Sequence, residues 1–356
     1  MNQDDYSSAD SLGFDRRAFL KATGIAASVP ALTGCLSGDG GEGSDGPVAE
    51  NGEFVMRTAS ENTLAYQMSQ GISEVARDHA DDVSIEPLPS EGTNANVGYL
   101  GENEAQMVYL QNWTANLIDE GEGAFSDLNF QPYQVMHYYD LGWFLATPNE
   151  GWETVADIES DSRVSPTPRG SGTAEMIEHA LNYAVDDYER VSVGYSEQGS
   201  EMNDGSLDVG AGTFVNFDIE PGWLEEMKAS TDLRLLGWPD DVRSELEDDS
   251  GILMTDIGMS DFEGYAYTPD PLPSMTLAYN FVVRDNLAYD PLYNYLETLW
   301  DHKDELADYH PVLGYLAEGE FWVKNMYENM PFHPAAADFY EEKGLWRDEF
   351  ERGEEV

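Results

Sequence analysis

Two hydrophobic rhythms alternate along the chain, and the switches between them predict its elements. Short apolar runs of β type fall at Glu53 to Ala59, Val83 to Pro89 and Ala105 to Leu110. Each is followed by a stretch with helical spacing: Thr63 to His79, Asn94 to Leu100, and a third ending near Gly121. Strands that alternate with helices predict βαβ units on a largely parallel sheet, hence the α/β class. Tyr133 to Thr147 is long and apolar without helical period, and reads as an extended crossing out of a first lobe. A second alternating set follows, with strands at Arg163 to Pro168, Arg190 to Tyr195, Leu207 to Phe214 and Leu233 to Pro239. Its helices run to about Val185, to near Asp204-Gly205, from Glu220 to about Lys228, and to about Glu247. Met275 to Arg284 is a second long apolar strand, read as the return crossing, and Asn286 to Phe350 reads as mostly helical. The predicted lobes are 53–140 with 276–356, and 141–275. Two lobes joined by two crossings make a hinge around a central cleft that closes on a ligand.

The first 52 residues have a different character. Arg16, Arg17 and Lys21 precede an apolar stretch that stops at Cys35, the single cysteine. The order of charged, apolar and small-residue segments is that of an export signal, too short and too weakly apolar for a committed membrane helix. Arg16-Arg17 with Phe19-Leu20-Lys21 resembles a twin-arginine signal, and Leu32-Thr33-Gly34-Cys35 resembles a lipobox. These resemblances imply that residues 1–35 direct export and that Cys35 carries lipid, anchoring the chain to the outer face of the cell membrane. Residues 36–52 are rich in Gly, Ser and acid and read as a flexible tether. A lone cysteine excludes an internal disulfide.

Charge changes the picture further. The chain has 70 acidic and 17 basic residues, a formal net charge of −53, yet also 14 Phe, 20 Tyr and 8 Trp. The aromatics predict packed cores, so the dispersed acids read as a solvated surface. Such self-repulsion is screened only where salt is concentrated, which predicts a high-salt habitat. Nucleic acid is not an expected partner, since phosphate binding needs basic patches.

No catalytic set emerges. There is no G-x-S-x-G elbow and no P-loop. The six histidines, His79, His137, His179, His302, His310 and His333, show no metal-ligand spacing. Neither an enzyme, a cofactor nor a metal is predicted, and His333 reads as packing at a helix start.

In open α/β sheets ligands sit beyond the carboxyl ends of strands. Five such loops are rich in uncharged hydrogen-bonding groups: Thr58 to Asn62, Gly92 to Asn96, Gln111-Asn112-Trp113, Arg169 to Thr173, and Thr213 to Asn216. Gly170-Ser171-Gly172-Thr173 is the sharpest. Its glycines allow close approach, Ser171 and Thr173 suit a helix start, and the start itself attracts anions.

Three stretches carry a family resemblance. PSEGTNANVGYLGENEAQMVYLQNW, SPTPRGSGTAE and MPFHPAAADFYEEKGLW are similar, in order, to motifs of the TAXI-type solute-binding proteins of TRAP transporters. Gly92, Thr93 and Asn96 fall on that family's Gly, Ser and Asn. Gly170 to Thr173 fall on its G-S-G-T, and Pro221 on its proline after the third strand of the second lobe. The first loop here lacks the family's glycines, Arg169 replaces a proline, and Ala335 replaces a glycine. The resemblance implies the type II periplasmic-binding-protein fold and a receptor that hands a small organic anion, such as glutamate or a 2-oxo dicarboxylate, to a membrane permease. Ser171 and Thr173 would hold one carboxylate, with Arg169 as its counter-charge, and Thr93, Asn96, Gln111 and Asn112 the other end. Tyr139, Phe214 and Tyr279 are candidate cleft walls. Thr58, Ser60, Asn62, Asn94, Gly170, Gly172, Thr213 and Asn216 complete the candidate site. The alternative is a receptor for a zwitterionic osmolyte or other amino acid, held by aromatic faces. An exported hydrolase is the remaining rival.

Overall fold

The computed structural model describes residues 48–354, apart from residues 62, 127 and 170. The expected export signal with Cys35, residues 36–47 of the expected tether, Asn62 and Gly170 therefore lie outside the described residues. The chain opens with β1 (Glu53–Arg57), α1 (Leu64–His79), β2 (Ser84–Leu88), α2 (Thr93–Gly101), β3 (Met107–Gln111) and α3 (Asn112–Asp119). The long strand β4 (Pro132–Thr147) leads to β5 (Arg163–Val164), α4 (Gly172–Leu181), β6 (Glu189–Arg190), α5 (Gln198–Asn203), β7 (Gly210–Val215) and α6 (Gly222–Ser230). Then come β8 (Arg234–Leu236), α7 (Asp240–Glu247), β9 (Leu253–Ile257), the second long strand β10 (Leu272–Arg284), α8 (Tyr289–Asp301), α9 (Leu306–Tyr309) and α10 (Pro334–Lys343). Among these residues no helix is long and apolar enough to cross a membrane.

The α/β class is as predicted, and the element sequence follows the predicted alternation. The helices form where one apolar stripe meets a sheet: Met68, Ile72, Val75 and Ala76 of α1 recur at helical spacing and are fully buried. Starts and stops are local. Thr63 caps α1 by accepting from the Tyr66 N–H, and Gly344 ends α10 in the left-handed conformation that glycine adopts without strain.

The main sheet runs β2-β1-β3-β10-β4-β7, with β8 also paired to β4 and β9 to β10. It is less parallel than predicted. β1 pairs parallel with β2 and β3, as does β5 with β6. However, β10 lies antiparallel to β3, β4 and β9, and β4 antiparallel to β7 and β8. The reason is the double crossing. A chain that leaves along β4 and returns along β10 must lay the two strands side by side in opposite directions. They pair from Met275 opposite Trp143 to Arg284 opposite Pro132, with two register shifts between Tyr279 and Val282. Both strands are buried almost throughout, which removes the alternation a half-exposed strand would show. β9, which the apolar pattern left unassigned, extends this pairing along the start of β10.

Candidate functional site

A cavity of about 560 Å³ lies where the segment between the crossing strands (148–271) faces the N-terminal β1–α3 region. That is within the usual range for a small-molecule site. Its rim is built from helix starts. Thr63, Leu64 and Ala65 open α1; Gly92 to Ala95 open α2; Gln111 precedes α3; Ser171 to Thr173 open α4; Pro221 and Trp223 open α6. A helix start presents N–H groups with no partner inside the helix, and a partial positive charge. Some are capped: Ser171 Oγ accepts from the Ala174 N–H at 3.2 Å, and Gln111 Oε1 from the Thr114 N–H at 3.3 Å. α2 is different, because its N-cap is Gly92, at φ 125°, which has no side chain to offer.

The floor is the face of the sheet where the crossing strands run. Tyr139, Leu141 and Trp143 alternate along β4 and all reach the cavity, as do Tyr109 of β3, Tyr279 of β10, and Thr213 and Val215 of β7. Tyr109, Tyr139 and Tyr279 stack on one another, with centroids 4.7 to 6.5 Å apart. Trp143, Tyr195 and Trp223 form a second group, spaced 5.9 and 5.1 Å. Burial pushes the hydroxyls of Tyr109, Tyr139 and Tyr279 far above the usual tyrosine range, and that of Tyr195 up to about 12. All four are neutral donors at any physiological pH.

Charge is scarce here. Among the described lining residues none is Lys, Arg or His, and Glu91 is the one carboxylate. Glu91 is exposed at the edge, where it accepts a hydrogen bond from the Tyr99 hydroxyl at 2.8 Å, which lowers its pKa. Two polar atoms on the floor are buried without a protein partner: Trp143 Nε1 and Thr213 Oγ1. Buried donors are normally satisfied, so these two leave unpaired hydrogen-bonding groups beneath the floor.

Ten of the candidates named from the sequence line the cavity: Ser60, Thr93, Asn94, Gln111, Tyr139, Ser171, Gly172, Thr173, Thr213 and Tyr279. Six do not. Thr58 is fully buried, and its carbonyl accepts from Ser90 and Asn96. Asn96 faces inward and its amide donates to the carbonyls of Thr58 and Tyr109, tying β1 to β3. Asn112 Oδ1 accepts from the Ala278 N–H, and Asn216 Oδ1 from the Asp140 N–H. Phe214 lies between Thr213 and Val215, so strand parity turns it to the opposite face, against Phe144 and Phe262. Arg169 is exposed, with its N–H 3.4 Å from Ser192 Oγ and its guanidinium near Tyr188. Outside the cavity, His333 sits where the sequence put it. Its Nδ1 caps α10, Nε2–H donates to the Leu287 carbonyl, and burial lowers its pKa to about 4.

The sequence analysis missed Tyr109, Trp143, Tyr195 and Trp223. Tyr195 was within reach, as the last residue of a predicted strand. Trp143 was hidden inside a run with no visible alternation.

Across the cavity the two walls touch. Any Cβ at Gly172 would collide with Gln111 Nε2, so only glycine lets the start of α4 meet that amide. Beside it, Trp113 of α3 packs on His179 of α4 at 5.0 Å.

A model of the NMT1-like family matches residues 56–344, most of the chain. No curated protein matches in sequence. Solved structures with a similar arrangement include a Xanthomonas citri protein bound to ATP, at 12% identity and TM-score 0.47, covering 74% of this chain and 87% of that one. A periplasmic substrate-binding protein of an ABC transporter from Coxiella burnetii aligns at 10% identity and TM-score 0.40, covering 74% and 97%. A putative methionine-binding lipoprotein from Bacillus subtilis aligns at 11% identity and TM-score 0.37, covering 72% and 93%. At these identities and scores the likenesses carry no argument about ligand or partner.

Proposed function

This chain belongs to the NMT1-like family, and we propose that it is an extracytoplasmic receptor that closes two lobes, 53–140 with 276–356 and 141–275, around a small organic solute. The observation that carries this reading is the cavity itself. Helix starts converge on it from both sides of the crossing strands, over a floor in which Trp143 Nε1 and Thr213 Oγ1 are buried without a protein partner. Among the described lining residues there is no His, Lys, Arg or Cys, and the one carboxylate, Glu91, is exposed at the edge, so binding is the chemistry the lining supports.

The lining favours a zwitterionic solute, such as an amino acid or a betaine-like osmolyte, over a dianion. Helix starts suit one carboxylate. Six aromatic rings suit a cationic or methylated ammonium end, since ring faces attract cations. A second carboxylate would meet no basic side chain and would face Glu91. The organic-anion reading keeps one supporting observation, the several helix starts, whose partial charges act without any arginine. Delivery to a TRAP-type permease, and anchoring through lipid on Cys35, follow from the sequence motifs and belong to the same proposal.

The test is a thermal-shift and calorimetric panel in molar salt, with glycine betaine, proline, neutral amino acids, glutamate and 2-oxoglutarate. A bound solute raises the midpoint by mass action. Stabilisation by zwitterions and not by 2-oxoglutarate supports the reading. Stabilisation by dicarboxylates alone would replace it with the organic-anion reading, and turnover of any solute would end the receptor assignment.

A further inference from the structure

Two histidines with no metal-binding spacing in sequence are brought face to face by the fold. His79 ends α1 and His302 follows α8; their ring centroids lie 3.5 Å apart, inclined by 11°. Glu305, three residues beyond His302, reaches both. His79 Nε2 lies 2.9 Å from one carboxylate oxygen and His302 Nδ1 2.9 Å from the other. One ligand atom from each of the three residues lies within 4.8 Å of the other two. We propose that His79, His302 and Glu305 form a binding site for a late first-row divalent cation, of which Zn²⁺ is the representative.

The argument begins with protons. With no metal present, each imidazole must carry N–H toward Glu305 to make these bonds. If both rings were also cationic, like charges would be stacked in contact, which is unfavourable. When each ring moves that proton to its other nitrogen, a lone pair on each faces Glu305, and a tilt of the stacked rings aims both at one ion. Two nitrogens and one carboxylate oxygen are the donor set that suits Zn²⁺, Ni²⁺ or Cu²⁺ better than Mg²⁺ or Ca²⁺. Donors bound at ~2.1 Å in a tetrahedral site stand roughly 3.4 Å apart, against 2.9 Å for each N···O pair here, so the distances are near those of a bound state while the stacked rings must turn apart to reach it.

The surroundings agree. The side chains are 28%, 32% and 47% exposed for His79, His302 and Glu305, open enough for water to complete the coordination shell. Asp78, Asp301 and Asp304 flank them in sequence, and the net charge of −53 concentrates cations at the surface. The basic side chains next to the ligands in sequence are engaged elsewhere: Arg77 pairs with Glu74, and Lys303 donates to the Ala317 carbonyl. None of the three ligands lines the solute cavity. Such a site would staple the end of α1 to the segment after α8, stiffening one part of the molecule without occupying the cleft.

The experiment uses the untagged full chain, stripped with a chelator, in molar KCl. Zn²⁺ is titrated by calorimetry, and Co²⁺ is added in parallel for its visible absorption. One Zn²⁺ per chain is expected, with affinity falling about 100-fold or more in His79→Ala and in His302→Ala. Zn²⁺ should raise the thermal midpoint of the parent and not of the double variant. Glu305→Gln, which keeps the volume and removes the charge, guards against a histidine variant that does not fold. Absence of stoichiometric Zn²⁺ binding, or binding undiminished in the folded variants, overturns the proposal. Neither result bears on solute binding, which is read separately.

Discussion

The rim and the floor of the cavity are made of different materials and are held in place differently. The rim is polar, local and adjustable. Each of its residues belongs to a helix start, and its position follows from a cap and the few residues around it. The floor is aromatic, non-local and stiff. Its rings stand on strands whose partners are distant in sequence, as where Tyr279 pairs with Gln111 on one side and Tyr139 on the other. In the proposed receptor the rim would supply directional bonds to an acidic group, and the floor would supply area and ring faces. Specificity for the body of the solute should therefore reside in the floor.

The strongest way to break this division is Trp143→Ala. Truncating a buried aromatic costs about 3 kcal/mol of stability, and removing a ring beneath a desolvated ammonium costs about 2 kcal/mol of affinity, roughly 30-fold. Calorimetry and thermal melts on one preparation measure both. Trp143→Phe sharpens the point, because it keeps a ring and deletes only the unpartnered N–H. An affinity loss of about fivefold with a nearly unchanged midpoint would show that this donor meets the solute. Equal affinity would return Trp143 to a packing role.

The floor also rests on a buried charge. Asp140 lies on β4 between the floor residues Tyr139 and Leu141 and is fully buried. Lys324 Nζ lies 2.8 Å from it and His137 Nε2 3.5 Å. Burial raises its pKa, but His137 and Lys324 together outweigh that and hold it at about 2, below 3.8. A carboxyl with a depressed folded pKa stabilises the fold above its unfolded value. That contribution, on the order of 2 kcal/mol, is lost as pH falls from about 3.8 toward 2. Chemical denaturation across that range should show the loss in the parent and a flatter profile in Asp140→Asn. Matching slopes would remove Asp140 as the cause.

Next in size is Gly172→Ala, where rim meets rim. The added methyl meets Gln111, whose other amide atom caps α3, so the amide cannot move aside without cost. Affinity should fall about tenfold while the midpoint of the solute-free protein stays within a degree or two. A fall in stability with unchanged affinity would mean that the contact serves the fold and not closure. Ser171→Ala is smaller again: loss of a helix cap costs about 1 kcal/mol of stability, with only a few-fold effect on binding.

The contrast also explains what the sequence disclosed. Ser171, Thr93 and Gln111 announced themselves because a helix start has a local chemistry that survives without tertiary context. The two crossings were visible as long apolar runs. Their orientation was not, because strands buried on both faces lose the period of two that would separate Trp143 and Tyr139 from Phe144 and Tyr138. The aromatic floor is assembled by pairing β3, β10, β4 and β7, and no single stretch contains that information. Conversely Phe214 and Asn216, which the sequence put in a loop of promising composition, are turned away, Phe214 by parity within β7 and Asn216 by a bond to the β4 backbone.

Arg169→Ala should have the smallest effect of all, and it bears directly on the rim. An arginine beside a glycine-rich helix start is the natural counter-charge for a carboxylate, and in a chain with 17 basic residues its position stands out. The fold places its side chain on the surface, outside the cavity lining, in a protein surrounded by its own acids. At molar salt a charge farther than ~3 Å from its target is screened. Affinity for the solute should change by less than about twofold, measured by calorimetry in molar KCl and again at the lowest salt the protein tolerates. If the loss reaches tenfold under both conditions, Arg169 must swing inward when the solute arrives. The rim would then hold a full positive charge, and the organic-anion reading would prevail over the zwitterionic one.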